Sequence, residues 1–362
     1  MKLFAPGYVN ENRQIFLDIA KVLSILFMVW VHAFEYTGVL EGVGKVVVAS
    51  SYAEFVNEVL GGIFAAPVFM FCMGLGVAYS KRSTPQYLAQ RGVNLFIQAW
   101  LLNVARNLPI LVFFILFGIE EIKGYLFKEL ITIDILHLAG ISFLLFAFLL
   151  TLKISARNIF IISIFLSIFS SFSFGFRMDE FLLVREVISL FVGVSGDNFL
   201  DAFPLFSWFI FIACGYYFAD FLKRCADLNK LMSVIFVLSW TLFLPAFIYF
   251  YTKDKMVYSA LEISFYHMGI FGAFHTLCGV FAFVSLCYFI SKILPNFITA
   301  LCVKISNNIT LIYWLQWIFI LWFLFVLKLN EFSGTIAALV VFILSVVLAN
   351  TFGAKTAAKI EK

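Results

Sequence analysis

Ten stretches of about 20 mostly apolar residues run through the sequence, approximately at 14–36, 57–80, 93–118, 131–151, 158–175, 204–222, 231–251, 269–291, 307–328 and 335–353. Each is long enough to cross the ~30 Å hydrocarbon core of a bilayer as a helix. In lipid only helices and closed barrels satisfy their own backbone polar groups. A barrel needs short strands that alternate apolar with polar residues, and these stretches are continuously apolar. Hydrophobic residues make up 63% of the 362 and charged residues 13%, against roughly 45–50% and 25% in soluble domains. That balance excludes a soluble enzyme, a disordered chain and a nucleic-acid binder. The expected fold class is all-α: a polytopic membrane protein of about ten transmembrane helices, forming a single domain over 1–362.

Basic residues orient such a chain, because Lys and Arg gather on the cytoplasmic side. With the N-terminus inside and ten spans, 15 of the 25 Lys and Arg fall on the inner side and eight on the outer, while Lys21 and Arg106 fall within spans. Both termini are therefore expected to be cytoplasmic. The first apolar stretch runs past twenty residues with no small-residue cleavage site, so it reads as a retained span and not a signal peptide. Residues 176–203 carry Arg177, Asp179, Glu180, Arg185 and Glu186 beside a short apolar piece, and are expected to form an outer loop with a short interfacial or re-entrant helix. The six cysteines form no CxxC pair and mostly sit in apolar runs, as small core residues do.

An ionisable group inside a span costs about 2.5–3.5 kcal/mol on insertion scales, so such groups are the first functional candidates. The first span is the richest, with Asp18, Lys21 and His32. Asp18 and Lys21 are three residues apart, hence neighbours on one helix face. The eleven residues from Lys21 to His32 are 20° from three full turns, which places both on one stripe about 16 Å apart along the axis. Lys21 lies in the cytoplasmic half and His32 in the outer half. Structurally, Asp18 and Lys21 would pair to ease insertion and His32 would satisfy a core hydrogen bond. Functionally, one face carries a cation low in the membrane and an imidazole high in it.

Other clusters are sparser. The inner loop Ser80-Lys81-Arg82-Ser83, with Tyr87 and Arg91 beyond it, could clamp phosphates of a cytoplasmic cofactor or simply serve topology. The third span holds Asn103, Arg106 and Asn107 ahead of Pro109, and the fourth opens with Asp134-Ile-Leu-His137. Arg106 could pair with Asp134, or both could join a polar cavity with His32. No motif assigns His267 and His275, which read as structural.

Arg13-x4-Asp18-x2-Lys21-x10-His32 resembles the signature of the membrane-bound acyltransferase 3 superfamily, which includes bacterial polysaccharide O-acetyltransferases and, as a related branch, heparan-alpha-glucosaminide N-acetyltransferase. Pro67-x-Phe69 through Gly74 and Ser80, with Arg82 and Arg91, is similar to its second-span region. Asp134-Ile-Leu-His137-x-x-Gly140 and Asn307-Asn308-Ile-Thr310-Leu-Ile-Tyr313 are similar to later segments, more weakly. One departure stands out: the pattern usually has Arg where this chain has Lys21, which keeps the charge but loses the bidentate fork.

The resemblance implies an enzyme of the inner (cytoplasmic) membrane that takes an acyl group from cytoplasmic acyl-CoA, usually acetyl-CoA, and delivers it to a carbohydrate or other envelope acceptor outside. A thioester is already reactive, so no metal is implied. His32 would be the general base or carry the acyl group itself, and Asp18 would orient Lys21 or a bound group. Arg82 and Arg91 would meet CoA phosphates. Arg106, Asn107, Asp134 and His137 would line the acceptor end or hold the oxyanion. Membrane lipids and a carbohydrate or glycolipid are the expected partners; nucleic acid is not, and a homodimer is admissible. The rival reading is a transporter or flippase for a lipid-linked sugar, in which the same charges line a gated path.

Overall fold

A computed structural model describes residues 3–40, 51–118, 120–173, 182–193, 203–254 and 266–360. The architecture is all-helical, with no strand among the described residues. Six helices are long and apolar enough to cross a membrane, and eight spans result if two bent helix pairs each count as one. Two shorter apolar helices, Ile135–Thr151 and Ala156–Phe172, lie on two further stretches of the sequence. Each of the ten apolar stretches thus carries helix.

The breaks have local causes. Helices Pro85–Arg106 and Leu108–Phe117 meet at 52°. Pro109, two residues past Asn107, has no N–H to continue the first helix. Helices Asn296–Asn307 and Ile309–Leu324 meet at 76° across Asn308. In the long helix Ser51–Tyr79, residues Val56–Ala65 are π-helical. Pro67 removes the N–H that would close onto the Ile63 carbonyl, and the wider i→i+5 ladder accommodates that loss. A second π-helical turn covers Ile320–Leu324. In the 176–203 region a helix spans Leu182–Val192. Its 11 residues reach about 16 Å, half of a bilayer core. The acidic and basic residues Arg177, Asp179 and Glu180 lie outside the described residues.

The chain divides into two compact units. One comprises Met1–Arg13, Met70–Val104 and Phe114–Ser285. Its core is helix Leu205–Arg224, packed against Ala156–Ser173, Ile135–Thr151 and Leu182–Val192. Glycines bring the segment around Phe71–Gly74 against this helix at backbone contact. A Cβ on Gly74 would lie 1.9 Å from the Ile212 carbonyl oxygen, and one on Gly215 would lie 2.0 Å from that of Phe71. The N-terminal arm closes the far end of Leu205–Arg224. Ala5 and Val9 donate backbone N–H groups to the carbonyls of Arg224 (2.8 Å) and Lys223 (2.7 Å), two acceptors a helix terminus otherwise leaves unmet. Tyr8 donates its hydroxyl to Asp220 (2.9 Å), which pushes the phenol's pKa up.

The other unit comprises Gln14–Phe69, Ala105–Phe113 and Leu286–Lys362. Here the opening helix Ile15–Tyr36 is central, touched by the π-helical stretch, by Asn296–Asn307 and Ile309–Phe319, and by Glu331–Ile360. Burial therefore runs around most of its circumference. Helix Glu331–Ile360 instead exposes large apolar side chains such as Phe332 and Ile343, as a lipid-facing helix does.

Candidate functional site

The opening helix is unbroken from Ile15 to Tyr36, so Lys21 and His32 keep their three-turn separation on one stripe. Asp18 sits in its first turn, where a carboxylate favours the positive end of the helix dipole. It is 2% exposed, and its Oδ1 accepts a hydrogen bond from the Ser306 hydroxyl at 2.7 Å. Helix Asn296–Asn307 supplies that donor, 288 residues further along the chain. Lys21 is half-buried one turn on, and Ser24 turns its hydroxyl back to the Ala20 carbonyl at 2.7 Å.

His32 is half-buried and held on two sides by one helix, Ile309–Phe319. Its ring stacks on Trp317 with centroids 4.2 Å apart and planes 29° from parallel. The Gln316 carboxamide nitrogen lies 3.4 Å from His32 Nδ1. Gln316 is fully buried. Arg106 reaches the same indole, its guanidinium carbon 5.0 Å from the ring centroid. Tyr36 meets Trp317 edge-on at 5.6 Å. Trp322 donates its indole N–H to the Ala105 carbonyl at 3.0 Å, fixing the chain next to Arg106. Trp317 is thus the common floor under an imidazole and a guanidinium, and its electron-rich face suits a cation. Asn107 is fully buried at the helix break, and its carbonyl accepts from Leu111 N–H at 2.9 Å.

Asp134 and His137 belong to the first unit and are joined in a capping box. Asp134 Oδ1 accepts from Leu136 N–H at 2.9 Å, and Asp134 N–H donates to His137 Nδ1 at 3.1 Å. His137 is fully buried, with Trp100 at 4.5 Å and Phe96 at 5.4 Å. Their i,i+3 spacing therefore serves the start of helix Ile135–Thr151 directly. Gly140 allows that helix to approach closely, since a Cβ there would lie 2.8 Å from Phe96 N. Asn103 donates to the carbonyls of Leu130 (3.2 Å) and Thr132 (2.7 Å), meeting acceptors at the end of helix Glu120–Ile131.

Arg82 and Arg91 are exposed on the first unit. Arg82 takes the Ser80 hydroxyl as acceptor for its backbone N–H at 3.1 Å, and the Arg91 guanidinium lies 4.8 Å from the Phe143 ring centroid. His267 is buried, and desolvation lowers its pKa to about 4. His275 stacks near Phe243 at 5.0 Å. Both keep a structural reading. All six cysteines are buried. No group of three His, Cys, Asp or Glu side chains suited to a metal occurs among the described residues.

Ser306, Gln316 and Trp317 escape a search for intramembrane charge because none is ionisable. A trace was present for Gln316, the only amide side chain in the apolar run Ile309–Leu324.

The fold and this site define a polytopic helical membrane protein built around an opening helix with a buried carboxylate, a lysine and a clamped histidine. A model of the heparan-alpha-glucosaminide N-acetyltransferase catalytic domain matches residues 13–250, and the chain belongs to that family of membrane acetyltransferases. No curated protein and no solved structure matches it. Every charged or polar candidate from Asp18 to His137 falls inside the matched segment, whereas Ser306, Gln316 and Trp317 fall beyond it.

Proposed function

We propose that this protein transfers an acetyl group from cytoplasmic acetyl-CoA to a carbohydrate acceptor on the outer side of the inner membrane. The observation that carries this reading is the clamped His32 within the family's matched segment. Ten spans with both termini cytoplasmic fit the charge bias and put His32 in the outer half, near the acceptor. The chain then works as one transmembrane acyltransferase domain, belonging by its first-span motif to the wider acyltransferase 3 superfamily.

The chemistry asks little beyond placement and one proton. His32 takes the proton of the acceptor hydroxyl or amine as that atom attacks the thioester carbonyl. The C–S bond breaks, and the CoA thiolate leaves and is protonated. Holding both substrates in line is worth several kcal/mol, and the base contributes about 10²–10⁴-fold. Arg82 and Arg91, exposed and basic, suit CoA phosphates. Asp18, tied to Ser306, anchors the low end of the stripe on which Lys21 would meet the donor. Arg106 and Asn107, beside His32's indole floor, suit the acceptor or the oxyanion. Asp134 and His137 frame the acceptor end by fixing the start of their helix.

The test is acetyl transfer by the purified full chain in detergent, with radiolabelled acetyl-CoA and soluble glucosamine oligosaccharides. Mass spectrometry of envelope glycans from cells with and without the gene runs alongside. Label in the glycan, lost in His32→Ala while the variant still inserts, supports the reading. A protein that moves a lipid-linked sugar but neither binds nor consumes acetyl-CoA is a transporter.

A further inference from the structure

We infer that Tyr79 and Lys223 form an anion site that takes a phosphate group, walled by Tyr8 of the N-terminal arm and edged by the basic loop that follows Tyr79. The phosphate belongs to CoA or to the headgroup of an anionic phospholipid. The site stands on geometry within the first unit, and only its CoA source rests on the acetyltransferase reading above.

Three segments meet at the Lys223 ammonium. Helix Ala66–Tyr79 ends beside it, and the Ala78 carbonyl accepts a hydrogen bond from Nζ at 2.7 Å. The Tyr79 ring centroid lies 5.1 Å from Nζ and the Tyr8 centroid 5.2 Å. Arg224, the next residue, sets its guanidinium carbon 5.3 Å from the same Tyr8 centroid. Two cations therefore border one phenol ring. The arm that carries Tyr8 is tied to this helix end by the backbone bonds of Ala5 and Val9.

The charges and donors here do not balance within the protein. Asp220 is already engaged: it accepts the Tyr8 hydroxyl at 2.9 Å, and its carboxylate meets Arg224 Nε at 3.0 Å. Lys223 is half-buried and has no carboxylate partner among the described residues. An ammonium has three donors, and Ala78 uses one of them. The Tyr79 hydroxyl is buried and has no hydrogen-bond partner among the described residues. A buried donor left unmet is costly. Donors on a cation and a phenol beside it call for a negative ligand with several acceptor oxygens, which a phosphate supplies. Lys81 and Arg82, both exposed, follow Tyr79 by two and three residues and extend the positive edge. On the topology proposed above this end faces the cytoplasm, the side that holds CoA and the anionic lipid leaflet.

A purely structural Lys223, capping the helix that ends at Tyr79, predicts that the Tyr79 hydroxyl does nothing. Tyr79→Phe removes that one oxygen and keeps the ring beside Lys223, so its melting temperature should match wild type. Lys223→Met removes the charge and keeps most of the stem. The full chain in nanodiscs of phosphatidylcholine is titrated with radiolabelled CoA by equilibrium dialysis. In a second arm, native mass spectrometry reads the phosphatidylglycerol retained by protein taken from mixed phosphatidylglycerol and phosphatidylcholine discs. Both variants should weaken binding about 10-fold in one arm, as losing a hydrogen bond or charge at an anion does. Loss of CoA affinity identifies CoA as the source; loss of phosphatidylglycerol with CoA unaffected identifies the lipid headgroup. Wild-type binding by either variant in both arms overturns the site, and so does a wild type that binds neither ligand. If wild type binds CoA and both variants match it in both arms, the site falls and the acetyltransferase reading stands. If wild type retains phosphatidylglycerol but binds no CoA, and the variants lose the lipid, the site stands and that reading fails.

Discussion

Gly215→Ala tests the tightest helix contact in the first unit. The new Cβ would lie 2.0 Å from the Phe71 carbonyl oxygen, where ordinary contact begins near 3.4 Å, so the two backbones must part by about 1.4 Å. A backbone carbonyl cannot swing aside as a side-chain tip can. Phe71 and Ile212, whose carbonyls make the two glycine contacts, are both fully buried. Overpacking of this kind costs roughly 1–3 kcal/mol, and the rigid obstacle places this case at the upper end. Alanine's better helix propensity returns about 1 kcal/mol, for a net loss near 2 kcal/mol. Gly76, in the neighbouring helix, is the control, because a Cβ there meets nothing within 4 Å. Gly76→Ala should be neutral or stabilising by up to about 1 kcal/mol. The assay is the temperature at which half the detergent-solubilised protein leaves the monodisperse peak in size-exclusion chromatography. Gly215→Ala should fall by several degrees while Gly76→Ala does not. Equal behaviour of the two variants would refute backbone contact as the cause.

Three further outcomes are expected. Ser306→Ala removes the donor to buried Asp18 and should cost about 1.5–3 kcal/mol by the same thermal assay, as a hydrogen bond to a charged group does; Ser306→Thr should recover part of it. Asp134→Ala removes the capping box at Ile135–Thr151 and should cost about 1 kcal/mol, with Asp134→Asn closer to wild type; an unchanged melting temperature would argue that the cap is redundant. His267 is held neutral by burial, with its pKa lowered from 6.5 to about 4. The unfolded chain takes up a proton below pH 6.5 before the folded one does, so this stabilisation is complete above pH 6.5 and is lost as pH falls toward 4. The loss is at most about 3–4 kcal/mol; His267→Asn should flatten the melting temperature between pH 7 and pH 4.5, and an unaltered slope would contradict it.

Composition and periodicity alone dictate what this protein is made of. Runs of apolar residues dictate helices in any solvent that cannot hydrogen-bond the backbone, and helical periodicity alone places Asp18, Lys21 and His32 along one stripe. The sequence also showed Asp134 and His137 as an acid and an imidazole three residues apart at a helix start, while the capping box they form came to light only in the folded chain. What the stripe faces is a matter of long-range packing. Ser306 is 288 residues from Asp18, and Gln316 is 284 from His32. Periodicity fixes the direction of a side chain about its own axis but carries no information on which distant helix fills the space opposite. That choice is settled by packing, to which Pro67 with the π-helical stretch and the break at Asn308 contribute. A neutral amide and an indole gain their importance only from where this packing sets them, against the one histidine of the opening helix.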